Sequence, residues 1–104
     1  MTDNNTTNTQ EPTIQAMVWY KEEDWETLIK LFSDSHLLPK SYGDWLARAE
    51  EMVKTVEGNG DMVIKVFIDP ETFPAWCKEK NREMDSKARA DLAIEVATEQ
   101  SLAL

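Results

Sequence analysis

Across Gly58-Asn59-Gly60 the spacing of apolar residues changes from that of a helix to that of a strand. Upstream, Tyr42, Trp45, Leu46, Ala49, Met52, Val53 and Val56 keep one face apolar, while Arg48, Glu50, Glu51, Lys54 and Glu57 take the other. Downstream, Met62, Ile64, Val66 and Ile68 alternate with Val63, Lys65 and Phe67. A chain with both periods on either side of one turn folds as a mixed helix-and-sheet domain. Ser41, with Asp44 three residues on, caps the helix as a weak capping box, since Asp reaches back less well than Glu. The glycine-rich turn tolerates the positive φ that closes the helix.

The same reading places the other elements. Met17-Val18-Trp19-Tyr20, starting at Ile14, is bulky and β-branched or aromatic, and predicts a strand. Glu22, Glu23 and Asp24 complement a helix N-terminus, and Trp25, Leu28, Ile29 and Phe32 follow at helical spacing, which predicts a helix over 22–33. Ser33-Asp34-Ser35 ends it, and Leu37-Leu38-Pro39 is a connection whose apolar residues tuck under the helices. Asp69-Pro70-Glu71 opens a third helix, with Phe73, Trp76 and Cys77 on its buried face and its end near Asn81. Asp85 or Ser86 caps a fourth, whose stripe of Ala88, Leu92, Ala93, Val96 and Ala97 is narrow. Small side chains there let the sheet or the preceding helix approach closely.

The order is β-α-α-β-α-α: an α+β fold in which a two-stranded sheet packs with four helices. If one helix runs down and the next runs up, the second strand returns antiparallel to the first. The antiparallel pairing is therefore the expectation, and a parallel pair, which requires a tilted or crossing helix, ranks second. A two-stranded sheet is weak alone, so either helices cover both faces or a strand edge is shared with a second copy in a homodimer. Residues 1–13 are almost wholly Asn, Thr, Asp, Gln and Glu, which predicts a disordered tail ahead of a single domain over 14–104.

Composition narrows function mainly by exclusion. With 104 residues and a formal charge of −9, the chain supports one small core and no clustered cationic grip on nucleic acid or anionic lipid. No apolar run approaches the ~20 residues that cross a bilayer. Met1-Thr2-Asp3-Asn4-Asn5 lacks the start of a secretory signal, so the cytoplasm is the expected location. The single Cys77 forms no internal disulfide, in keeping with a reducing compartment. One His and one Cys fall short of a zinc set, no calcium loop is present, and Gly58-Asn59-Gly60 precedes a strand and so cradles no dinucleotide phosphate. Neither cofactor nor metal is expected. Cys77 lies past the first turn of its helix and His36 sits in a loop, so a buried structural thiol is favoured over a nucleophile.

Four tryptophans invite a ligand-binding reading, but Trp25, Trp45 and Trp76 each fall on an apolar helical stripe and are assigned to the core. Trp19, beside Tyr20 in a strand, is less constrained and is a candidate for an interaction surface. Charge is unevenly distributed. From Glu22 to Asp61 there are ten acids and four bases, a net of −6, whereas Lys78 to Arg89 holds five bases and three acids, a net of +2. Solvated helix faces explain much of this; an acidic face that meets a basic partner explains it as well.

Tyr42-x-x-Trp45-Leu46, Ala49-Glu50, Ile68-Asp69-Pro70, Phe73, Trp76-Cys77 and Ala88-Arg89, spanning about residues 17–97, resemble a group of small uncharacterised bacterial α+β proteins. The resemblance implies a bacterial cytosolic setting and no particular activity. Arg89 is the charged residue within these motifs, and a structural salt bridge to a neighbouring helix is favoured over ligand binding. The expected function is a small non-catalytic module that binds another protein, with Trp19, Glu22, Glu23 and Arg89 as candidate surface residues. One rival is an acidic DNA mimic that inhibits a nucleic-acid-binding protein. Another is a small-ligand binder or enzyme with an aromatic cleft, which requires a deep pocket holding Arg89 or His36 with Trp19 or Trp76 at its wall.

Overall fold

The computed structural model describes residues 13–103. Its elements are β1 (Ile14–Trp19), a 3₁₀ turn (Glu22–Asp24), α1 (Trp25–Leu31), a second 3₁₀ turn (Ser35–Leu37), α2 (Tyr42–Gly58), β2 (Met62–Phe67), α3 (Thr72–Glu79) and α4 (Ser86–Ala103). The tail expected over residues 1–13 lies outside the described residues except for Thr13. That residue is tied to the turn before β2: its carbonyl accepts from Met62 N at 2.8 Å, and its N–H donates to Asp61 Oδ1 at 3.2 Å.

The expected α+β order holds, but the antiparallel pairing does not: β1 and β2 run parallel, from Ile14 opposite Met62 to Trp19 opposite Phe67. The reason lies in the lengths of the two intervening helices. With seven residues, α1 extends only ~10 Å, while the 17 residues of α2 extend ~25 Å, enough to travel the ~20 Å of a six-residue strand. Only α2 therefore returns the chain along the sheet. Its start packs at the far end of β1, where Trp45 meets Trp19 edge-on with ring centroids 5.2 Å apart. Its end is joined to the start of β2 by a turn in which Asp61 N donates to Val56 O at 3.3 Å. One long helix between two strands is a crossover, and a crossover makes the strands parallel.

Alternation along the strands then assigns two faces. Ala16 and Val18 of β1 join Ile64 and Val66 of β2 against Ala93, Val96 and Ala97 of α4. The alanines let α4 lie close to the backbone of the sheet, as the narrow stripe predicts. The larger core gathers at the carboxyl ends of the strands, where Tyr20 is ringed by Trp45, Phe32 and Trp25 at centroid distances of 4.7, 5.7 and 5.8 Å. Phe73, Leu28 and Ile68 are fully buried there, each worth ~1.5–3 kcal/mol relative to exposure.

Packing also revises the helix boundaries. The single helix expected over 22–33 becomes a 3₁₀ turn followed by α1, and Phe32 leaves helical geometry (φ −73°, ψ 129°). That extended residue carries its ring to Phe73, 5.8 Å away and edge-on. Of the connecting leucines, Leu38 packs on the core, but Leu37 stays exposed on its 3₁₀ turn rather than tucking under the helices. The caps form as read from the sequence. Ser41 Oγ accepts from Asp44 N at 3.1 Å, Asp69 Oδ1 accepts from Glu71 N and Thr72 N at 2.7 and 3.0 Å, and Asp85 Oδ1 accepts from Ala88 N at 3.0 Å. At the end of α3, Asn81 takes a positive φ of 58°, while Arg82 N bonds Cys77 O and Asn81 N bonds Lys78 O. This paired closure suits Asn, which tolerates the left-handed region better than most residues.

Candidate functional site

The local sequence explains why a groove opens between α1 and the start of α2. Glu22, Glu23 and Asp24 favour the amino end of a helical segment, so the chain after β1 turns there with its carboxylates outward. Helical spacing then buries Trp25 and Leu28 and leaves Glu26, Thr27 and Lys30 on the outside. Across from them, the Ser41 cap fixes the entry of α2 and brings in Tyr42, whose hydroxyl donates to Tyr20 O at 3.1 Å.

The result is an open groove of about 740 Å³. Trp25, Ile29 and Tyr42 give it apolar surface, with the Trp25 and Tyr42 rings edge-to-face at 5.8 Å. Glu22, Glu23 and Glu26 line it together with Lys30 and Lys40. Among the described residues no ion pair neutralises the three glutamates. Burial first, then the charges of Glu22, Glu50 and Glu23, push the Tyr42 phenol above the usual value.

Of the four candidate surface residues, the structure brings together Glu22 and Glu23 in this groove and takes the other two inside. Trp19 is buried beneath Trp45, with the Lys65 ammonium 4.3 Å over its ring. Arg89 is buried as well. Its guanidinium lies 4.2 Å over the Phe32 ring and donates to both carboxylate oxygens of Asp34, at 2.9 and 3.1 Å. Asp34 Oδ2 also accepts from Ser86 N at 3.0 Å, so the same carboxylate caps α4. The basic segment from Lys78 to Arg89 is partly paired within the molecule, since Arg82 and Lys87 both reach Asp91 Oδ2, at 2.7 and 3.2 Å.

The remaining candidates for chemistry stand apart. His36 is exposed, Cys77 is buried, and burial raises the Cys77 thiol above its ordinary range. Trp76 is half-buried, donating through Nε1 to Glu95 Oε2 at 3.1 Å. The groove is lined by none of Trp19, Trp76, His36 or Arg89, so it is not the cleft that the ligand-binding reading requires. Sequence reading missed Trp25, Tyr42, Lys30 and Lys40 as groove residues, because helical spacing assigned the first two to the core and two isolated lysines carry no signal. Among the described residues no cluster of His, Cys, Asp and Glu is placed to hold a metal ion, and no helix is long and apolar enough to cross a membrane.

Comparison with known proteins finds no matching family model, no matching curated protein and no matching solved structure.

Proposed function

We propose that the chain is a small protein-binding module without catalytic function, and that its groove receives a basic, partly apolar segment of another protein. The observation that carries this reading is the set of three glutamates around an aromatic floor: Glu22, Glu23 and Glu26 beside Trp25 and Tyr42. Among the described residues Glu22, Glu23 and Glu26 form no ion pair, so they are open to cations of a partner despite Lys30 and Lys40 nearby, and the net charge of −9 steers such a partner inward. The half-buried Ile29 and Tyr42 add apolar contact area in the middle of that charge. An accessory or regulatory role in the cytoplasm belongs to the same reading, in keeping with a lone, buried thiol.

The test is titration of the full chain against labelled peptides of equal length that alternate Arg or Lys with Leu, with Glu-for-Arg peptides as controls, read by fluorescence anisotropy. The basic peptides are expected to bind, and the triple variant Glu22→Gln/Glu23→Gln/Glu26→Gln to lose about tenfold in affinity, because each exposed charge pair contributes roughly 0.2–1 kcal/mol. Raising the salt is expected to weaken binding in the same direction. Equal binding of basic and acidic peptides, or a triple variant that binds as tightly as the parent, would overturn the reading.

A further inference from the structure

The groove between α1 and the start of α2 is lined by charge of both signs. Glu22 and Glu23, in the turn before α1, stand toward one end with Glu26, whereas Lys30 lies a helical turn beyond Glu26. Lys40, from the connection into α2, adds a second cation. All five residues are exposed, and among the described residues none of them forms an ion pair. Even Glu26 and Lys30, spaced and ordered as a helical pair, stay apart, and an exposed pair of that kind adds little when it does form. The dipole of α1 accounts for carboxylates at its start and for Lys30 in its last turn. It does not account for Lys40, which lies outside the helix and still borders the groove.

The two signs are spaced to the reach of a short extended peptide. Rises of ~2.0 Å per residue through the 3₁₀ turn and ~1.5 Å through α1 set Lys30 about 6 Å from Glu26 and about 13 Å from Glu22 along the axis. That distance is about two to four residues of extended chain. Trp25, Ile29 and Tyr42 supply apolar contact along the same length.

Building on the groove as a site for a basic segment, we propose that the segment it receives is dipolar: about two to four residues from its cations it carries a carboxylate, which Lys30 and Lys40 receive. The two lysines thereby select among basic partners and set which way the charges of the segment lie. A groove lined by glutamates alone takes a basic segment in either sense; cations toward one end make one sense better. Net charge gives the inference a sign. At long range a chain of −9 repels an added acid, so an acid that strengthens binding has met a local cation.

The test uses the full chain and the labelled peptides that alternate Arg with Leu, with the first or the last Arg replaced by Glu or by its neutral analogue Gln, read by fluorescence anisotropy at about 0.1 M salt. At the better of the two ends, the Glu peptide is expected to bind about threefold more tightly than the Gln peptide, against the order that net charge alone dictates. Lys30→Gln/Lys40→Gln is expected to abolish that advantage, and to bind the all-Arg peptide about threefold more tightly because a repulsion is removed. Both lysines are exposed, so the circular dichroism spectrum of this variant is expected to match the parent. Gln binding as tightly as Glu at both ends, a Glu advantage that survives the loss of both lysines, or an all-Arg peptide indifferent to them would each overturn the inference. In those cases the groove reading stands as long as the all-Arg peptide still binds the parent. Failure of every basic peptide to bind overturns both.

Discussion

Arg89 and Asp34 stand 55 residues apart in the chain and are joined by two near-parallel hydrogen bonds of 2.9 and 3.1 Å. The pair pins the connection after α1 to the first turns of α4, where Ser33 N also donates to Met84 O at 2.9 Å. Side-chain exposures of 4% for Arg89 and 15% for Asp34 put the pair out of reach of most solvent screening. Removing one partner leaves the other charge buried and uncompensated. Asp34→Ala is therefore expected to cost about 3–5 kcal/mol in urea unfolding, and the double variant Asp34→Leu/Arg89→Met to recover much of that loss.

The same pair sets an acid limit. The Arg89 hydrogen bonds, opposed in part by burial, hold the Asp34 carboxyl below the ordinary value of 3.8. A folded-state pKa below the unfolded one contributes stability that is fully present above about pH 4 and is lost as pH falls through the depressed value. Midpoints of denaturation measured from pH 6 down to pH 2 are expected to drop across the lower half of that range. Asp34→Asn is expected to flatten the drop, since it removes the titrating group.

Asp69 receives two amide hydrogen bonds on one oxygen at the start of α3, and those bonds, from Glu71 and Thr72, lower its carboxyl from the usual range. Asp69→Ala is expected to destabilise the fold by about 1 kcal/mol, within the ~0.5–2 kcal/mol typical of a lost helix cap, and Asp69→Asn by less. Thermal unfolding followed at 222 nm checks both.

Cys77 is 2% exposed, its thiol is pushed up by burial, and its Sγ donates to Glu83 O at 3.8 Å. Little thiolate is present at neutral pH, so reaction with a disulfide reagent is expected to be slow in the native protein and fast in denaturant. Rapid labelling of the folded chain would show an activated thiol instead.

Much of this molecule is written in local pattern. Periodicity alone distinguishes α2 from β2, and Ser41, Asp69 and Asp85 announce their helices because a capping side chain needs only the next few amides. The alanine stripe of α4 likewise predicts close packing on the sheet. The groove was only half legible: acidic residues at 22, 23 and 26 are plain, but their meeting with Tyr42 and Lys40 depends on how α1 and α2 dock.

What local pattern does not carry is decided by distance. Whether two strands run parallel depends on which intervening helix travels the length of the sheet, and that follows from α2 being long and α1 short once both are packed. The partner of Arg89 is equally invisible in one dimension, because an ion pair spanning 55 residues exists only when two elements have docked. Trp19 shows the same limit: its strand was readable, but its burial required Trp45 to arrive from α2 and cover it. Hydrogen bonds over a few residues and apolar period belong to the chain; strand direction, ion pairing and the shape of the groove belong to the packed fold.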